Sequence, residues 1–305
     1  MKQTNTDRIL IVDLFRVIAI FMVLFSHILF TIGHPWLQIC QPSFGIHPFS
    51  WSTWGEIGVT IFLILSGFSL EYTYGGMHIN FGRFYVKRVF KIYPIYYMSL
   101  LLGLMVHVAF KLWGILYRGA PSTLLPDFGY LDFFLALSGF NAFFGKWGGP
   151  LVLSSWFIGL IMVLYLCYPI ISWACRRSPW ACITFLFLIS LISRILISGS
   201  NIFLNNPMAW FPLNRVFEFG LGVFLAGLIK RDLLKSLNHA LEGLPFLTFF
   251  SAISYPLFLI HDPLRRFIVM GPNNALSRTV GIALFLVLSI VLSKMALLID
   301  QRIKN

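Results

Sequence analysis

The stretch DLFRVIAIFMVLFSH, Asp13 to His27, decides the fold class. It lies in an apolar run over 9–32, long enough to cross a bilayer. Yet it carries an acid, a guanidinium and an imidazole. A charge at mid-bilayer costs at least ~2.5–3.5 kcal/mol on insertion scales, so such groups face a bundle interior or a wet cavity. Arg16 and His27 are eleven residues apart. On a helix that is about 20° past three full turns and about 16 Å along the axis, so both point from one face. Asp13 sits three residues before Arg16, within pairing distance. Two readings stay open: a packing ion pair with a satisfied histidine, or a working polar path.

The rest of the chain repeats the pattern. Its 305 residues are 58% hydrophobic and 11% charged, where a soluble domain carries about a quarter charged residues. Eight segments are long enough to span: 9–32, 54–74, 89–113, 154–175, 180–198, 213–230, 247–268 and 277–299. Two shorter apolar pieces, 130–144 and 201–211, read as short spans, re-entrant hairpins or interfacial helices. The expected fold is an all-α polytopic bundle of eight to ten transmembrane helices. A single integral-membrane domain is expected over 1–305, with no appended soluble module. The first run is too long for a signal-peptide core and lacks a small-residue cleavage site, so it reads as a retained span.

The net charge of +12 would suggest nucleic acid in a soluble protein. Here the basic residues cluster at the ends of apolar runs, which is topology. Lys2 and Arg8, then Arg83, Lys87, Arg88 and Lys91, then Arg176 and Arg177, Lys230, Arg231 and Lys235, and Arg302 and Lys304 all fall on one side if eight segments cross. That predicts both termini in the cytoplasm of a multi-pass cell-membrane protein, with the Lys- and Arg-free loop 33–53 outside. If 130–144 crossed alone, Arg176 and Arg177 would move outside, which favours re-entry. The four cysteines form no C-x-x-C pair, and a disulfide framework is not expected. No histidine has metal-ligand spacing, so no metal is expected.

Other segments carry polar groups in or beside spans. GVTIFLILSGFSL (58–70) ends on Ser66 and Gly67, where a glycine permits close helix approach. FGRFYVKRVFKIYPIYY (81–97) places Arg83, Lys87, Arg88 and Lys91 at a membrane surface. They read as topology and headgroup contacts, or as a clamp for a polyphosphate. SYPLFLIHDPL (254–264) puts His261 and Asp262 late in a span.

Taken in order, these pieces resemble the membrane acyltransferase-3 family, which acylates sugars and other carbohydrate acceptors. Arg16 and His27 match its arginine–ten residues–histidine signature, and GVTIFLILSGFSL is similar to its G-V-x-x-F-F-x-x-S-G-F segment. RFYVKRVFKIYP, NRVFEFGLGVFLAG (214–227) and SYPLFLIHDP resemble its R-x-x-x-I-x-P, E-F-x-x-G-x-x-x-A and S-Y-x-x-Y-L-x-H-x-P segments. Two positions depart from it. Ile161 stands where many members carry a Glu in W-S-L-x-x-E, as in a branch with an apolar W-F version, and Phe258 replaces a frequent Tyr.

The resemblance implies a cytoplasmic acyl-CoA donor, most simply acetyl-CoA, and a carbohydrate hydroxyl as acceptor at or beyond the membrane. A surface polysaccharide or its lipid-linked precursor would be O-acetylated. His27 is then a general base or a transient acyl carrier. Arg16 stabilises an oxyanion or orients a pyrophosphate, with Asp13 holding it. Arg83, Lys87, Arg88 and Ser66 are the candidate donor-binding residues. Arg215, Glu218, His261, Tyr255 and Trp156 are the candidates on the acceptor side. Arg215 and Glu218 read equally as a plain i, i+3 ion pair. Trp156 reads also as an interfacial anchor, and His261 as an orienting residue rather than a second base. Arg194 is expected to snorkel to the outer interface. The partners are acyl-CoA, a carbohydrate acceptor and the bilayer, not nucleic acid, and nothing fixes the oligomeric state. The rival reading is a transporter that uses the Arg/His stripe as a solute or proton path.

Overall fold

The computed structural model describes residues 9–33, 53–118, 129–146, 149, 151–198, 207–229, 234, 238–239, 241–269 and 274–304. Its helices are α1 (Leu10–Ile32), α2 (Trp54–Tyr74), α3 (Phe81–Arg118), α4 (Tyr130–Ser138), α5 (Trp156–Arg177), α6 (Pro179–Ser198), α7 (Pro207–Trp210), α8 (Pro212–Leu228), α9 (Pro245–Leu264) and α10 (Ala275–Lys304). Short 3₁₀ turns cover 141–144, 153–155 and 265–269. No strand occurs among the described residues. The protein is an all-α polytopic membrane protein.

Seven helical stretches are long and apolar enough to cross a bilayer: Leu10–Ile32, Trp54–Tyr74, Phe81–Ile115, Leu153–Arg177, Pro179–Ile197, Pro207–Leu228 and Ala275–Lys304. The eighth predicted span falls on α9, whose 20 residues are ~30 Å of helix. It differs from the other spans in its surroundings. It packs against α1, α3 and α10, and its whole second half except Tyr255 is buried, including His261 and Asp262. A helix walled by other helices has no need of a lipid-compatible surface.

Local chemistry sets the helix ends. Thr53 and Glu56 form a reciprocal capping box at the start of α2. Gly33 ends α1 at φ 66, a conformation that favours glycine. Asn80 caps α3 by accepting from the Arg83 N–H at 3.0 Å. The expected span 89–113 therefore begins earlier, because the basic segment is the first three turns of the same helix.

Contacts between helices define two ends of the bundle. At one end Arg16 meets Ser69, Asp13 meets Ser251 and Glu71 meets Arg176. This is the basic end. At the other, distal end His27 meets His261, Ser154 meets Asp262 and Arg194 meets Glu218. The segment over 130–144 enters and leaves by the distal end. Ser138 reaches Tyr93 of α3, whereas Leu151 lies against Gly103. Those α3 positions are ten residues, or about 15 Å, apart. Nine residues of α4 cannot cross a bilayer. Re-entry, rather than a further crossing, is the arrangement found, and it keeps Arg176 and Arg177 at the basic end. Within 201–211, the part before Pro207 lies outside the described residues, and the rest is one helical turn with Trp210 buried.

The glycine expectation at 67 holds. A β-carbon on Gly67 would collide with the Phe219 carbonyl, and one on Gly222 with the Ile64 carbonyl. The backbones of α2 and α8 thus touch, with only small residues allowed at the crossing. Cys167, Cys175 and Cys182 are free thiols.

Candidate functional site

The α1 stripe predicted from spacing exists, and its two ends are built differently. At the basic end, Asp13 is buried and accepts a hydrogen bond from Ser251 Oγ at 2.5 Å. It pairs with Arg16 Nη1 at 3.2 Å, while Arg16 Nη2 donates to Ser69 Oγ at 3.0 Å. α2 also brings Ser66, whose hydroxyl lies 2.9 Å from Tyr165 OH of α5. α3 adds Arg88, which donates to Tyr74 OH at 2.9 Å. Its guanidinium lies 5.4 Å from the centroids of both the Tyr74 and Phe84 rings and 5.9 Å from that of Tyr165. Arg88 Nε is buried without a partner. Lys91 lies one turn further along α3. The basic end thus carries Arg16, with Asp13 as its counter-charge, together with Arg88 and Lys91 of α3, a set of cations suited to an anion with more than one negative group.

The predicted clamp changes its membership. Arg83 and Arg88 are five positions apart, about 140° around the helix. Arg83, Lys87 and Lys91 are exposed and Arg88 is half-buried; by helical angle Phe84, Arg88 and Lys91 lie within about 60° of one another. The structure does not bring Arg83 to Arg88. Lys91, which belongs to the same basic segment but is not among the candidate donor-binding residues, lies nearer to Arg88 around the helix. The R-x-x-K spacing of Arg88 and Lys91 could have revealed it.

At the distal end, the His27 and His261 rings meet edge to face, with centroids 4.9 Å apart at 63°. His261 is fully buried, and its Nδ1 lies 2.8 Å from the Leu257 carbonyl oxygen. A carbonyl only accepts, so Nδ1 carries the proton and Nε2 of the neutral ring is a lone pair. That Nε2 is buried without a partner, and so is His27 Nδ1. Asp262 is paired by charge, and only its Oδ2 receives a hydrogen bond. Its Oδ2 accepts from the Ser154 N–H at 2.9 Å, and Arg265 Nε lies 2.8 Å from Oδ1. Sequence reasoning missed Ser154, which lies 108 residues from Asp262 and carries no motif of its own.

The other predicted residues fall into separate places. Glu218 Oε1 takes Arg194 Nη2 at 2.6 Å and Arg215 Nη1 at 3.2 Å, all three side chains being buried. Arg194 also donates to the Asn214 carbonyl at 3.0 Å from Nε. The expectation that Arg194 snorkels outward is overturned. A buried carboxylate one helix away offers it more than the interface does. Glu218 Oε2 and Arg215 Nε remain buried without a partner. This trio lies on α6 and α8, and α2 packs against both α1 and α8. Tyr255 OH donates to the Ile92 carbonyl at 2.8 Å and ties α9 to α3. Trp156 is half-buried at the head of α5, edge-on to Phe157. Among the described residues no three His, Cys, Asp or Glu gather as a metal site. His34, His47 and the loop over 34–52 lie outside the described residues.

The comparison with curated proteins gives no match, and neither does that with solved structures. A family model described as an acyltransferase domain, Acyl_transf_3, matches residues 9–298, nearly the whole chain and every polar group above. The chain belongs to the acyltransferase-3 family and is a multi-pass membrane acyltransferase.

Proposed function

We propose that the protein moves an acyl group, in the simplest case acetyl, from acyl-CoA bound at the basic end to a carbohydrate hydroxyl at the distal end. The observation that carries this reading is that one helix, α1, joins a polycationic end through Arg16 to a histidine pair through His27. The positive-inside pattern then places the basic end and both termini in the cytoplasm of a cell membrane. Coenzyme A has its negative charges at one end and its thioester at the end of a long arm. Phosphates held by Arg88, Lys91 and Arg16 leave that arm to run along α1 towards His27, about 16 Å away. Asp13 and Ser69 fix the Arg16 guanidinium, so less freedom is lost on binding.

At the distal end His27 takes the proton of the acceptor hydroxyl as its oxygen attacks the thioester carbonyl. The carbon–oxygen bond forms, the carbon–sulfur bond breaks, and the proton passes to the departing thiolate. The acceptor is a surface polysaccharide or its lipid-linked precursor, and Arg215 and Glu218 offer a donor and an acceptor to sugar hydroxyls from their unpartnered atoms.

The test is a thiol-release assay on purified protein with acetyl-CoA and candidate sugar acceptors. Free CoA should appear only when an acceptor is present, and His27→Ala should abolish it without loss of folded protein. Solute uptake into proteoliposomes with no thioester consumed would point to a transporter instead.

A further inference from the structure

His27 needs its ring held and its proton placed if it is to act as a base, and its surroundings limit what can do this. In a hydrolase triad a buried carboxylate fixes the base's tautomer. Asp262 is the carboxylate next door, but its Oδ2 is held by the Ser154 N–H, and its Oδ1, which no hydrogen bond reaches, is paired by charge with Arg265, whose Nε lies 2.8 Å away. Leu257 holds the proton of His261 on Nδ1. The Nε2 lone pair of that ring is buried and unpartnered, and its ring faces that of His27. His27 Nδ1 is the second buried nitrogen there without a partner. Two orphaned nitrogens on facing rings are costly unless they serve each other, because a buried polar atom left unmade costs ~1–3 kcal/mol.

We propose that His261 is a positioning residue for His27. Its Nε2 lone pair accepts the His27 Nδ1–H, directly after a small ring rotation or through one water. This keeps His27 in the tautomer whose Nε2 is free to take the acceptor's proton. Leu257 and His261 then form a relay of orientation: a backbone carbonyl fixes one imidazole, which fixes the next. When His27 becomes imidazolium, its Nδ1–H bond to His261 strengthens, and no second charge enters the membrane interior. A neutral imidazole suits this place for that reason. Phe285 and Phe258 pack around His261, each ring centroid 6.3 Å away, and leave its Nε2 no rival partner among the described residues.

The inference rests on His27 being the base, and the experiment separates the two. Single-turnover acyl transfer and donor affinity are measured for His261→Phe, His261→Gln and His27→Ala in the full chain. Phe keeps the ring packing and lacks the nitrogen, whereas Gln offers an acceptor oxygen at similar reach. Transfer in His261→Phe should fall about 10²-fold with donor affinity within about twofold, and Gln should restore roughly a tenth of wild-type rate or more. Wild-type transfer by His261→Phe beside a dead His27→Ala would overturn this inference and leave His27 as the base. An active His27→Ala would overturn both. Should His261→Phe not fold, His261→Met against His261→Gln makes the same comparison, and equal rates would overturn the proposal.

Discussion

The two ends of α1 are opposites in how they treat polar atoms. At the basic end Asp13 answers Arg16 and Ser251, Arg16 also answers Ser69, and Glu71 is matched by Tyr168, Ser172 and Arg176. At the distal end the facing rings of His27 and His261 each carry a buried nitrogen with no partner, as do Asp262 Oδ1, Glu218 Oε2 and Arg215 Nε. Matched groups hold the bundle and shape a charge. Unmatched ones are expensive, and a protein keeps them where another molecule or a proton completes them. The basic end has such atoms too, among them Asp300 Oδ1 and Arg88 Nε, the latter in the cluster that would meet donor phosphates.

That contrast can be broken by substitution. His27→Ala should cost transfer on the order of 10²–10⁴-fold, the range for losing a general base, with thermal stability in detergent unchanged. Glu218→Ala should lower stability as well as acceptor binding. Removing the carboxylate strands Arg194 and Arg215 in the interior, a loss of about 3–5 kcal/mol seen as a much lower melting temperature. Glu218→Gln, which still accepts hydrogen bonds, should lose less. Arg88→Ala should weaken donor binding by about 10–100-fold, the loss of one charge-assisted contact of ~1.5–3 kcal/mol. Gly67→Ala forces α2 and α8 apart and should cost ~1–3 kcal/mol of stability. Smallest of all, Arg83→Ala should stay within about 0.5 kcal/mol in binding and stability, since Arg83 is exposed and about 140° around α3 from Arg88. A donor-binding loss at Arg83 equal to that at Arg88 would show that the clamp extends around the helix.

What the sequence made legible follows from period and cost. Runs of apolar residues located the helices, and a fixed 100° per residue put Arg16 and His27 on one face before any contact was known. Glycine at 67 beside a span end pointed to a close crossing. The missing parts are those that depend on partners far along the chain. Whether Arg194 snorkels or pairs turns on Glu218, 24 residues away on another helix. That Asp262 is occupied turns on Ser154. That the second half of α9 is walled in follows from which helices surround it. Arg83 entered the clamp because a linear cluster of basic residues hides which face each one takes; counting 140° between Arg83 and Arg88 would have separated them.

The division of labour along α1 is tested most directly by measuring coenzyme A affinity and single-turnover transfer at saturating donor for Arg88→Ala and His27→Ala side by side. Arg88→Ala should bind donor weakly and transfer at near wild-type rate once saturated, whereas His27→Ala should bind donor normally and transfer nothing measurable. Equal losses of donor affinity in both variants, or normal transfer by His27→Ala, would contradict the account.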